Sequence, residues 1–347
     1  MKKYRNGLIV GKFSPLHKGH EFVINRGLAE CETLYIFSYY TPEFKGCEAH
    51  KREVWLKTLF PDAKIFVINN EYVQTRFNFS LPPDDATDLE ERRFVGFLWL
   101  HLVNKPLDAV FTSENYGDGY AEEMSNYFAN YTDFPPVKHV LVDLDRKLIP
   151  ISGTKLRSDF HNLKDYLSPQ VYASFVERIV FLGGESSGKS TLTEALADEF
   201  KTKFVAEYGR TLSEEKNNEL VFEDLLKIAK THIADEESQA QKANRYLFID
   251  TSPLTTLFYS LHLFGKADPE LYWLSHRKYD RIFLCAPDFS FVQDGTREGN
   301  GLRERQHEWY LQKLSERKIF FEILTGELNE RINSVKKFLA EKPESTC

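Results

Sequence analysis

The chain is poor in cysteine, in long apolar runs and in any excess of basic charge, and each shortage removes a class of function. Its four cysteines, Cys31, Cys47, Cys285 and Cys347, lie far apart and form no Cys-x-x-Cys pair. That spacing argues against a zinc site and against a disulfide framework, and fits a reducing cytosol. The 45 Lys and Arg are outnumbered by 52 Asp and Glu, giving a net charge of −7 with no basic block able to track a nucleic-acid backbone. Lys2, Lys3 and Arg5 precede only Leu8-Ile9-Val10 before the charged Lys12, too little for a signal peptide. The longest apolar stretch, Phe94 to Val103, falls well short of the roughly 20 residues that span a bilayer. Internal repeats and low-complexity segments are absent. These shortages together predict a cytoplasmic protein with no nucleic-acid partner and no stable membrane insertion.

What is present is an alternation of β-rich runs and helical patterns over 347 residues, a length that favours two domains. Strands are expected at Leu8–Val10, Leu34–Ser38, Ile65–Ile68, Ala109–Thr112 and Val137–Val142. The alternation implies a parallel sheet. Asp88 and Glu91 look like a capping box that opens a helix with its apolar face between Phe94 and Val103. The acidic run Asp84 to Glu91 therefore reads as helix entry and solvated surface. A boundary falls near residues 165–178, where Ser168-Pro169 opens a short helix and Arg178-Ile179-Val180-Phe181-Leu182 begins a new strand. Further strands are expected at Lys203–Ala206, Tyr246–Ile249, Arg281–Cys285 and Ile319–Leu324. Helical patterns cover Leu192–Phe200, Phe222–Ala243, Leu254–Phe264 and Glu327–Leu339. The domains are thus 1–168 and 178–347.

Gly183-Gly184-Glu185-Ser186-Ser187-Gly188-Lys189-Ser190, followed by Thr191, sits between a strand and a helix. This is the P-loop pattern, in which backbone N–H groups curl around phosphate oxygens at a helix N-terminus. Lys189 would reach the β and γ phosphates of ATP, and Ser190 would supply a hydroxyl to Mg²⁺. A P-loop does not specify a reaction. Glu207, in Ala206-Glu207-Tyr208-Gly209-Arg210, and Asp250 follow the next strands, at the ends where ligands bind. Glu207, Tyr208 and Arg210 are candidates for contact with the phosphoryl acceptor. Arg297, Arg303 and Arg305 lie on a glycine-rich stretch that reads as a lid over a transferring phosphoryl group. The alternatives are a surface ion pair for Glu207 and Arg210, and a solvated loop for the arginines. The layout resembles small-molecule kinases of the nucleoside and nucleotide type, and no guanine-reading Asn-Lys-x-Asp element is present. By that resemblance Asp250 stands near Mg²⁺, and Glu207 or Asp250 accepts the proton of the attacking hydroxyl.

Near the start lies Gly11-Lys12-Phe13-Ser14-Pro15-Leu16-His17-Lys18-Gly19-His20. His17 and His20 are three apart at a helix N-terminus and so face one side, where terminal N–H groups already favour an anion. The stretch resembles the Gly-x-Phe-x-Pro-x-His-x-Gly-His signature of the nucleotidyltransferase superfamily. That superfamily's second signature, Ile-Ser-x-Thr-x-x-Arg, stands here as Ile151-Ser152-Gly153-Thr154-Lys155-Leu156-Arg157. Ser152 or Thr154 can cap the next helix, and Arg157 in its first turn can grip phosphates. The resemblance implies that Gly11, Lys12, Phe13, His17, His20, Ser152, Thr154 and Arg157 bind ATP. An acceptor phosphate then attacks the α-phosphorus in line, and the histidines act as charge stabilisers rather than nucleophiles.

A nucleotidyltransferase signature followed by a P-loop kinase resembles, over essentially the whole chain, the NadR family of bifunctional nicotinamide-nucleotide adenylyltransferase and ribosylnicotinamide kinase. The resemblance implies an α/β chain with a Rossmann-like nucleotidyltransferase fold followed by a P-loop kinase fold. It implies that nicotinamide riboside is phosphorylated to the mononucleotide in the second half, and that the mononucleotide is adenylylated to NAD in the first. ATP would be co-substrate and Mg²⁺ cofactor at both sites, and a homo-oligomer is compatible with the sequence. Some members add a DNA-binding helix-turn-helix domain before the transferase. Here the first strand begins within ten residues of Met1, so the form without that domain is expected. Asn115 and Tyr116, after the fourth strand, are the expected nicotinamide contacts, whereas Trp55, Trp99, Trp273 and Trp309 sit in helical patterns and are assigned none. Competing readings are a pantetheine or flavin kinase–adenylyltransferase fusion and an NAD-sensing protein.

Overall fold

The structure is a computed structural model that describes residues 2–40, 43–83, 85–114, 117–288 and 300–341. It divides into two compact units, Met1–Ser174 and Phe175–Cys347.

In the first unit five strands form a wholly parallel sheet: β1 (Tyr4–Gly11), β2 (Cys31–Tyr39), β3 (Lys64–Ile68), β4 (Ala109–Thr112) and β5 (Lys138–Leu141). Their order is β3-β2-β1-β4-β5. Leu8 pairs with Tyr35 on one side and with Val110 on the other. Helices cover both faces of such a sheet, so its inner strands read as continuous apolar runs rather than alternating ones. The chain winds outward from β1 through β3 and then crosses to β4. The carboxyl ends of β1 and β4, at Gly11 and Thr112, therefore flank the switch point where ligands bind in this architecture. Trp99, fully buried, anchors the core cluster and donates its indole N–H to the Lys105 carbonyl at 2.7 Å.

The second unit repeats the plan with β6 (Glu177–Leu182), β7 (Lys203–Val205), β8 (Tyr246–Asp250), β9 (Arg281–Cys285) and β10 (Glu322–Leu324). Its order is β10-β9-β6-β8-β7, again all parallel. The pairing Phe181 with Asp250 sets the end of β8 beside the start of the P-loop.

Several boundaries differ from the sequence expectation for local reasons. The helix Asp88–Leu102 is capped by Thr87, whose hydroxyl accepts from the Glu90 backbone while Glu90 reaches back, one residue earlier than the Asp88 and Glu91 pairing. A helix Asn300–Glu316 takes up Arg303 and Arg305, which the glycines had suggested for a loop. The final strand keeps only Glu322–Leu324 of the expected run. All four tryptophans lie in helices. Among the described residues, no helix is long and apolar enough to cross a membrane.

Candidate functional site

Each sheet presents one of the two motif constellations at its carboxyl edge. In the first unit the chain leaves β1 at Gly11 and turns through Phe13, which is buried with a left-handed φ of 47°. His17 caps the helix Lys18–Glu30, its Nδ1 accepting from the His20 backbone N–H at 3.3 Å. The two imidazoles stack at 3.7 Å, and the Phe13 ring meets His20 edge-on at 4.9 Å. Gly19 leaves room for this packing, since an added Cβ would sit 3.1 Å from the His17 ring and press on it. Burial, reinforced by the Arg146 guanidinium, lowers the His17 pKa to about 4. Burial also pushes His20 well below its usual range, with the charges of His17 and Arg146 adding to the effect. Both rings are therefore neutral at pH 7 and offer polar N–H groups rather than positive charge.

Positive charge at this site comes from three other groups. Arg157 lies in the last turn, not the first, of the six-residue helix Gly153–Ser158. It donates to the Ser14 carbonyl at 2.5 Å and to Thr154 Oγ1 at 3.1 Å, and its guanidinium lies 4.0 Å from the Phe44 ring centroid. Ser152 does the capping, accepting from the Lys155 backbone at 3.2 Å. Lys12 places its ammonium 4.2 Å from the Tyr40 ring centroid. Arg146, which no motif singled out, sits in a short 3-10 turn with φ 53°, ion-pairs with Glu114 and bears on both histidines. Fully buried Arg52 braces the turn by donating to the Lys12 carbonyl at 3.3 Å, to Ser38 Oγ at 2.7 Å and to Glu43 at 2.8 Å. A cavity of about 250 Å³ opens beside Gly11 and Lys12, walled by Tyr39, Asp88, Arg92 and Tyr120. Asn115 and Tyr116 lie outside the described residues.

In the second unit the P-loop geometry depends on residues that tolerate close approach and positive φ. A Cβ on Gly183, at φ +148°, would fall 2.8 Å from the Cys285 carbonyl, and one on Gly184 would fall 2.7 Å from the Arg303 carbonyl. Ser186 and Gly188 both take left-handed φ, at 55° and 77°. Ser187 Oγ and Lys189 Nζ both donate to the Gly184 carbonyl, at 2.7 and 2.9 Å. The next residue, Ser190, donates to Asp250 Oδ2 at 2.5 Å, and Thr191 is exposed on the same first turn. Behind the loop stands Arg331, 1% exposed. It donates to the carbonyls of Ser187 at 2.7 Å, Gly326 at 2.8 Å and Ala286 at 3.1 Å, and pairs with Asp288.

Asp250 is 2% exposed, and among the described residues its Oδ1 has no hydrogen-bond partner. Burial, with the charge of Glu207 adding to it, raises its pKa to about 6 against the pull of Lys189, Ser190 and Arg210. Glu207 stands at the N-cap position of the helix Tyr208–Glu215, just past the neighbouring strand, without a side-chain capping bond, and Arg210 lies 3.4 Å from its Oε2. The structure thus makes the Glu207–Arg210 pair part of the site's wall as well as an ion pair. Both line a cavity of about 500 Å³ together with Glu185, Lys189, Tyr259 and Gln306. Tyr208 is half-buried outside that lining. Arg303 is buried and Arg305 exposed, its Nε donating to the Gly301 carbonyl of its own helix at 3.1 Å. Arg297 lies outside the described residues.

A family profile described as an AAA domain matches residues 178–331. The trifunctional NAD biosynthesis/regulator protein NadR of Escherichia coli K12 is 27% identical over 303 residues, covering 84% of this chain and 71% of the relative. Its counterpart from Salmonella typhimurium LT2 is 28% identical over 312 residues, with the same coverage. The chain is thus similar to NadR proteins over 84% of its length. The P-loop sequence from Gly183 to Ser190 lies within the stretch that the AAA profile matches. Crystal structures of NadR protein share the fold end to end. One, in complex with NR, matches with TM-score 0.69 at 20% identity over all of both chains. Another, in complex with NAD and AMP-PNP, matches with TM-score 0.68 at 19% identity over 99% of each.

Proposed function

We propose that this NadR-like chain phosphorylates nicotinamide riboside in its second unit and adenylylates the resulting mononucleotide in its first, using ATP at both sites. The observation that carries the reading is that two different phosphate sites, one built on paired histidines and one on a P-loop, stand in a single chain with NadR relatives over 84% of its length.

In the second unit Lys189 and the P-loop amides hold the β and γ phosphates. Ser190 Oγ and the unpartnered Asp250 Oδ1 are hard oxygen donors at one point, which suits Mg²⁺ with phosphates and water completing its shell. Bound there, the ion neutralises charge on the transferring phosphoryl group. Asp250 being committed to that role, Glu207 accepts the proton of the riboside's primary hydroxyl. That oxygen attacks the γ-phosphorus, and the bond to the β,γ-bridging oxygen breaks. Arg303, buried on the helix that packs against Gly184, faces the same loop.

In the first unit the mononucleotide's phosphate attacks the α-phosphorus and pyrophosphate leaves. His17 and His20 donate N–H groups to developing charge, while Lys12, Arg146 and Arg157 carry the positive charge. The 250 Å³ cavity at Gly11 and Lys12 receives the acceptor, with Asn115 and Tyr116 as candidate contacts. Incubation with nicotinamide riboside, ATP and Mg²⁺, followed by chromatography, should yield the mononucleotide and then NAD. If neither forms, the reading is wrong.

A further inference from the structure

The 500 Å³ cavity of the second unit has a chemical asymmetry that the phosphoryl-transfer chemistry does not require. On one wall, Tyr259 donates its hydroxyl to Glu185 Oε1 at 2.9 Å. Burial, with the charges of Glu207 and Glu185 adding to it, pushes the Tyr259 phenol well above its ordinary range, so both carboxylates bear on this point. Glu207 has Arg210 at 3.4 Å, but among the described residues no cation pairs with Glu185. Glu185 Oε2 is buried and, among the described residues, has no hydrogen-bond partner. The lining also includes the apolar Leu220, Leu225, Ile228, Leu263 and Phe264. A separate observation comes from Gln306, 1% exposed on the helix Asn300–Glu316. It bonds to Tyr310, while its Oε1 has no partner among the described residues and the residue lines the cavity.

Apolar side chains and the Tyr259 ring lining one cavity suit a flat ring. A buried, unneutralised carboxylate favours a ring that is positively charged, because attraction across a low-dielectric cavity is stronger than in water. A buried amide oxygen favours a ring substituent that offers an N–H, and is left opposed by one that offers only oxygen.

We propose that this cavity selects its nucleoside by charge and by donor. Glu185, supported by Glu207, admits a cationic pyridinium riboside, and Gln306 accepts the N–H of its carboxamide. Neutral dihydropyridine ribosides and carboxylate-bearing pyridinium ribosides are disfavoured. The inference rests on reading the second unit as a riboside kinase.

The test is a comparison of kcat/KM with ATP for three ribosides of one shape: nicotinamide riboside, its dihydro form, and nicotinic acid riboside. The full chain should prefer nicotinamide riboside at least tenfold over each of the others. Glu185→Gln should cut the preference over the dihydro form at least fivefold and leave the preference over the acid largely intact. Gln306→Met should do the reverse, cutting the preference over the acid. Equal use of all three by the parent overturns the proposal. So does a Glu185→Gln variant that loses all three in proportion, since Glu185 would then act on the shared sugar or on the P-loop. If the parent phosphorylates none of them, the riboside-kinase reading itself fails and the proposal falls with it.

Discussion

Asp250 shows how one residue sets function against stability. It is buried beside Glu207, and its folded pKa of about 6 lies above the ordinary 3.8. Between those values the folded chain binds more protons than the unfolded one, so stability falls as pH rises through that window. Asp250→Asn removes the penalty. The variant should lose riboside phosphorylation by about a hundredfold or more, yet be more stable than the parent at pH 7 without nucleotide, on the order of 2 kcal/mol. Denaturant unfolding of both proteins at pH 4 and pH 7 measures this, and a variant less stable than the parent at pH 7 contradicts it. His17 has the opposite sign. Its folded pKa of about 4 lies below 6.5, so its contribution is present above pH 6.5 and is lost as pH falls towards 4.

At the scale of elements, both phosphate turns are held by an arginine from elsewhere in the chain: Arg52 for the turn after β1, Arg331 for the P-loop after β6. Arg331 satisfies three carbonyls and pairs with Asp288, so Arg331→Ala leaves buried acceptors unmet. The cost should be about 3–5 kcal/mol of unfolding free energy in the second unit, together with weaker ATP binding. Denaturation and nucleotide titration check this. A loss under 1 kcal/mol would show that the loop holds its shape alone.

These braces also mark the limit of what could be read beforehand. Glycine spacing and paired histidines announce themselves because the backbone turn and the helix N-terminus fix their positions relative to one another. The strands were legible because buried parallel strands are continuous apolar runs. Arg331 lies more than 140 residues beyond the loop it holds, and Arg146, Arg52 and Gln306 stand in no motif, so only the fold brings them to the sites. Arg303 and Arg305 stand on a helix rather than the expected loop: the glycines at 299 and 301 suggested a loop, whereas a helix begins at Asn300. Likewise Thr87 outcompeted Asp88 for the cap, a choice between adjacent cap-forming residues that local propensity does not decide.

At the scale of the whole molecule, two parallel sheets each end in their own site. On the reading proposed here, the two reactions cleave ATP at different phosphorus atoms and are separable by single substitutions. Lys189 belongs wholly to the second unit, and His20 wholly to the first. The most direct test supplies the chain, as Lys189→Ala and as His20→Ala, with ATP and Mg²⁺ and either nicotinamide riboside or its mononucleotide. Products are then resolved by chromatography. Lys189→Ala should leave the riboside untouched and still convert the mononucleotide to NAD. His20→Ala should turn the riboside into mononucleotide that accumulates, with NAD formation reduced at least a hundredfold, consistent with loss of a transition-state donor. Loss of both conversions in each variant, in protein that remains folded, would contradict the claim of two independent sites.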